Sequence, residues 1–118
     1  MKHLILLFIL IASILVAPSA LATYPTFELS LKNGKWVPNT IEVPAGKRFK
    51  LKLHNQDKMS EEFESDTLVV EKFLGPNRKL SIILGPLKKG EYAFYAELNP
   101  NPDSGKIIAV EAASGETK

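Results

Sequence analysis

Residues 47–55 read KRFKLKLHN, and their reading decides the fold. Phe49, Leu51 and Leu53 alternate with Arg48, Lys50, Lys52 and His54. A period of two sends successive side chains to opposite faces of an extended chain. A helix would need apolar residues three and four apart instead. The stretch is therefore a strand with one face in a core and the other in water. Pro44-Ala45-Gly46 marks its beginning as a turn.

The same pattern extends in both directions. Upstream, FELSL alternates Phe27, Leu29 and Leu31 with polar residues, and TIEV is a short strand. Between them, KNGKW holds Asn33-Gly34, a tight-turn signal, and Trp36 reads as core or rim packing. Downstream, TLVVEKF, KLSIIL, EYAFYAEL and KIIAVEA are further candidates, with GPLKKGEY turning between two of them. Strands with turn signals about every ten residues imply an all-β antiparallel sandwich or barrel. One stretch, 59–65, reads two ways. It is either a single helical turn capped by Ser60 or an extended segment.

The first residues belong to something else. Lys2 and His3 precede the apolar run LILLFILIASILVA, Pro18 ends it, and ALA follows at 20–22. A charged start, an apolar middle and an A-x-A end describe a secretory signal peptide. The expected division is a signal peptide at 1–22, cut after Ala22, and one domain at 23–118. The run also approaches the length of a membrane anchor, but its small-residue end favours cleavage. The processed chain would then not span a membrane. It would have to fold on packing alone, because the sequence contains no cysteine. The net charge of +2 is no nucleic-acid footprint. The tail AASGETK lacks apolar periodicity and reads as frayed.

Catalysis finds little support. There is no thiol, no G-x-S-x-G elbow and no glycine-rich phosphate loop, and His54 is the one histidine beyond the leader. The chain is read as a non-enzyme. Metal ligation has more candidates, because carboxylates are hard ligands and imidazole suits copper, iron and zinc. They are Glu62, Glu64, Glu71 and Glu97, then Asp66, His54 and the thioether of Met59. If EEFES at 61–65 is extended, Glu62 and Glu64 share one side and Phe63 anchors the other. Two parallel carboxylates repel unless a cation or basic partners lie between them. Spacing alone leaves two readings: a cation site, or carboxylates in water beside Lys58 and Lys72. Tyr92, Phe94 and Tyr95 near Glu97 read as an aromatic wall or as sandwich core.

Three quoted segments together carry a resemblance. They are WVPNTIEVPAGKRFKLKLHNQDKMSEEFES, EKFLGPNRKLSIILGPLKKGEYAFYAEL and GKIIAVE. Their pattern resembles the small exported cupredoxin-like proteins found beside bacterial iron-permease systems. The resemblance runs from Phe27 to Glu111. It implies a Greek-key β-sandwich, a periplasmic location and a role with copper or iron. It carries Glu62, Glu64, Glu71 and Glu97 over as ligands or their supports. It also implies a partner, an inner-membrane metal permease or another periplasmic protein.

Two departures narrow these implications. A type 1 blue-copper centre needs a Cys thiolate, two His and usually an axial Met, and cannot form here. Relatives often carry histidine where this chain has Asp66 and Asn99. Any surviving site is thus oxygen-rich, suited to harder cations, or lost. The expected function is a non-catalytic cupredoxin-like domain that handles copper or iron. The alternative is a metal-free sandwich that docks a membrane or periplasmic partner. An electron carrier is a third and weaker reading.

Overall fold

Every alternating run forms a strand. The computed structural model describes residues 23–98 and 104–111, and these form nine strands. They are β1 (Thr26–Lys32), β2 (Lys35–Val37), β3 (Thr40–Pro44), β4 (Phe49–Asn55), β5 (Glu61–Ser65), β6 (Val70–Leu74), β7 (Lys79–Leu84), β8 (Gly90–Ala96) and β9 (Ser104–Val110). The expected signal peptide, Asn99 and the polar tail lie outside the described residues. No helix among the described residues is long and apolar enough to cross a membrane.

The strands make two sheets, ordered β2-β1-β4-β7 and β3-β9-β8-β5-β6. Their inner faces meet as a Greek-key sandwich. Strand β4, from the stretch 47–55, is internal to the first sheet. Its Phe49, Leu51 and Leu53 are fully buried against Phe63 of β5, Phe94 of β8 and Ile107 of β9. Phe63 links the sheets. Trp36 meets it edge-on at 5.6 Å between ring centroids, and Phe94 lies 5.2 Å away on the neighbouring strand.

Asn33 and Gly34 adopt φ of 53° and 75°, the left-handed pair that a tight β1–β2 turn demands. Gly105 is needed for a different reason. A Cβ there would lie 2.4 Å from the Asn39 carbonyl and 2.6 Å from the Phe94 ring, so the backbone of β9 passes too close for any side chain.

Two expectations require correction, and one open reading is decided. The sandwich is not wholly antiparallel, because β1 pairs with β4 and β3 pairs with β9 in parallel. A period of two is identical in both pairing directions, so alternation could not reveal this. Residues 61–65 form a strand, not a capped helical turn. There β5 pairs with both β6 and β8, and the extended form buries Phe63 and Ser65. The TLVVEKF strand starts only at Val70. Residues 66–69 turn first, with the Val69 amide donating to the Asp66 carbonyl at 3.2 Å and Val69 at φ 54°.

Candidate metal site

Strand β5 sorts its residues by alternation. Glu61, Phe63 and Ser65 point into the sandwich, and Glu62 and Glu64 point out. Phe63 is the wedge that fixes this phase, because burying its ring forces both neighbouring carboxylates to the outer surface. Register then adds the third group. Glu64 lies opposite Glu71 of β6 on one side and opposite Tyr95 of β8 on the other. One ligand oxygen each from Glu62, Glu64 and Glu71 lies within 4.8 Å of the other two. Glu62 and Glu64 are half-buried and Glu71 is exposed.

Two further acids border this triad. The Glu97 amide donates to the Glu62 carbonyl at 3.4 Å, which holds Glu97 at the end of β8 beside it. Asp66 accepts a hydrogen bond from the Tyr95 hydroxyl at 3.1 Å.

The electrostatics follow from this crowding. Partial loss of water pushes the Glu62 carboxyl above its ordinary range, and the charges of Glu71, Glu64 and Glu97 push it further. Glu64 is raised for the same reason, with Glu97 the strongest charge on it, and a hydrogen bond from Tyr95 opposes the rise. The Tyr95 phenol is pushed up to about 12, mainly by desolvation and then by Asp66. The lysines that would neutralise the cluster do not reach it. Lys106 pairs instead with Glu91 at 3.2 Å, and Lys72 makes no ion pair among the described residues. Three mutually repelling carboxylate oxygens without a basic partner suit a hard cation.

The remaining candidates are placed elsewhere. His54 is on the outer face of the other sheet, where its Nδ1 lies 3.3 Å from Gln56 Nε2. Alternation along β4 sends it away from β5. Met59 is exposed in the loop before β5. Tyr95 is not core either. Phe94 takes the buried position and Tyr95 the outer one, over Glu64 and Asp66.

Sequence reasoning also missed a set of polar anchors at one end of the sandwich. Asn55 is wholly buried. Its Nδ2 donates to the carbonyls of Met59, Leu74 and Gly75 at 2.8–3.1 Å, and its Oδ1 accepts from the Asp57 amide at 2.9 Å. The Asp57 carboxylate accepts from the amides of Asn33 and Gly34 at 2.8 and 2.7 Å. Glu61, only 4% exposed, accepts from the amides of Glu62 and Leu98. The signal was present: Asn55 continues the inward phase of Phe49, Leu51 and Leu53.

The fold and site together define a small Greek-key sandwich with an acidic outer face and no thiolate. The chain belongs to the Cupredoxin-like domain family, matching it over residues 4–109. It is 40% identical over 81 residues to the uncharacterized protein RP394 of Rickettsia prowazekii (strain Madrid E), which covers 69% of this chain. The match spans 65% of that relative's own length.

Solved structures share the fold at low identity. The Cu(I)-bound metal binding domain of the Cu(I)-exporting P-type ATPase CopA of Streptococcus pneumoniae D39 is similar at TM-score 0.62 and 16% identity, over 73% of this chain and 85% of that one. Reduced auracyanin of Roseiflexus castenholzii is similar at 0.60 and 13%, over 75% and 99%. The copper-containing nitrite reductase of Thermus scotoductus SA-01 is similar at 0.60 and 19%, over 82% of this chain and 25% of that enzyme. The fold thus serves metal-binding proteins and is also found within an enzyme.

Proposed function

We propose that this chain is an exported, non-catalytic metal-handling domain that binds its cation through carboxylates. Residues 1–22 are removed and 23–118 act in the periplasm, beside an inner-membrane uptake system for iron or another metal. The cation is cargo. Glu62, Glu64 and Glu71 hold it, and Glu97 and Asp66 add negative charge at the rim. The observation that carries this reading is the convergence of the three ligand oxygens without a lysine to neutralise them. With no cysteine, a copper–thiolate centre has no ligand here. The donor set favours oxygen-seeking Fe(III) over Cu(I).

The test is calorimetric titration of the metal-stripped protein with Fe(III) held soluble by citrate, Cu(II), Mn(II) and Zn(II). Binding tighter than about 1 mM, worth roughly 4 kcal/mol, is expected for at least one. Its absence for all four would overturn the reading.

One observation favours a second reading, docking without a metal. Phe73 and Val69 are 62% and 90% exposed close to the triad. In that case Glu62→Gln leaves uptake intact and Phe73→Ser abolishes it.

A further inference from the structure

The other outer face of the sandwich carries the opposite charge. Register across β1, β4 and β7 aligns Thr26, Lys50 and Ile83 on one rung, and Glu28, Lys52 and Ser81 on the next. A third rung holds Ser30, His54 and Lys79. Lys32 extends the face along β1, where it lies opposite Lys35 of β2. The intervening residues Leu29, Leu31, Phe49, Leu51 and Leu53 are buried, so these side chains project outward. Lys32, Lys50, Lys52 and Lys79 make no ion pair among the described residues, and Glu28 is the one acid on the three rungs. Alternate residues on a strand stand about 7 Å apart and neighbouring strands about 4.8 Å. These distances are shorter than the screening length of roughly 8 Å at physiological salt, so the lysine fields add.

We infer that this face rests on a bilayer surface of anionic phospholipid headgroups. Two observations select that occupant. The charge of the face is spread over lysines on β1, β4 and β7, which suits a diffuse array of headgroups. It lacks the central aromatic or aliphatic anchor that makes a protein interface tight, since Val37 and Ile83 are its exposed apolar side chains. A second copy of the chain is a poorer fit. The acidic face lies on the opposite side of the sandwich, so basic-to-acidic contact would stack copies without closing. Seated on a bilayer, the protein would hold the Glu62–Glu64–Glu71 face toward the aqueous side. The inference does not depend on that face binding a metal.

The experiment is flotation of the full chain with two kinds of vesicle. One is phosphatidylcholine alone, and the other has about one-third phosphatidylglycerol. Apolar insertion of residues 1–22, where they are retained, would add to both, so the excess on anionic vesicles is the readout. That excess is expected to be at least about tenfold near 0.1 M salt and to vanish near 1 M. K50E/K52E/K79E should erase it while leaving binding to neutral vesicles unchanged. K50Q/K52Q/K79Q, which avoids new charge should the reversal impair folding, should reduce it by roughly fivefold or more. E62Q/E64Q should leave it unchanged. An excess that survives both lysine variants, or that is lost in K2Q instead, overturns the inference. So does salt-sensitive stacking of copies in sedimentation that uses the same lysines.

Discussion

Glu61 and Glu62 are adjacent in sequence and opposite in environment. Glu61 points inward at the end of the sandwich, where the amides of Glu62 and Leu98 donate to it. Glu62 points outward, and its near neighbours in charge are Glu71, Glu64 and Glu97. A carboxylate oxygen that accepts two amide N–H groups ties chain segments together. A carboxylate ringed by carboxylates is held by the backbone in a state that repulsion opposes, and a cation relieves it. Residue type does not separate these two roles. The phase of one strand does.

This contrast can be broken most forcefully at the anchored end. Asn55→Leu removes four hydrogen bonds, those from Nδ2 to the carbonyls of Met59, Leu74 and Gly75 and that from the half-buried Asp57 amide. A loss of about 3–4 kcal/mol is expected, read by urea denaturation at neutral pH. Glu61→Gln keeps the shape and loses the charge, so a smaller loss of roughly 1–2 kcal/mol is expected. Both variants should still bind cations wherever they remain folded. If Glu61→Gln left stability unchanged and abolished binding, the division between the two ends would be wrong.

The outer face should respond in the opposite sense. Glu62→Gln with Glu64→Gln removes ligands and also removes repulsion. Cation affinity should fall at least about tenfold, the usual scale for lost charged contacts. The cation-free thermal midpoint should stay level or rise. A marked fall in the midpoint would mean that these carboxylates are structural after all. The same logic sets the pH dependence. Glu62 and Glu64 have folded values raised above the ordinary 4.5. The folded state therefore holds its protons longer than the unfolded one. Their contribution favours folding at low pH and is lost as pH rises from about 4.5 through the raised values. Metal-free protein should lose stability across that window relative to E62Q/E64Q, while cation affinity grows across it as protons leave. Thermal melts and titrations from about pH 4 to 7 follow both trends.

How much of this was legible in the sequence depends on what alternation can carry. It located the strands and placed Phe49, Leu51 and Leu53 in the core, while Phe94 was left between an aromatic wall and the core. It also put Glu62 and Glu64 on one side of β5 with Phe63 on the other. It could not supply the partners of β5. Glu71 joins the triad through the β5–β6 register, and His54 leaves it because β4 belongs to the other sheet. These are long-range pairings, and no local pattern encodes them. Asn55 was overlooked because polar residues are ordinarily read as exposed, although its phase placed it inside. Nothing in composition separates Glu61 from Glu62 either, because composition counts charges and ignores the direction in which each points.

Tyr95 offers the finest test of the boundary between the two roles. Its hydroxyl donates to Asp66 and favours the charged form of Glu64. Tyr95→Phe removes both interactions without touching a triad carboxylate or the buried Phe94 beside it. The Glu64 carboxyl should then rise further, because the one influence that lowers it is gone. Protons compete harder for the site only where that carboxyl titrates. Affinity should drop about two- to threefold near pH 5 and hardly change near pH 7.5. A loss of equal size at both values would not come from proton competition. It would place the phenol oxygen on the cation itself, and the site would then count an aromatic ligand among its carboxylates.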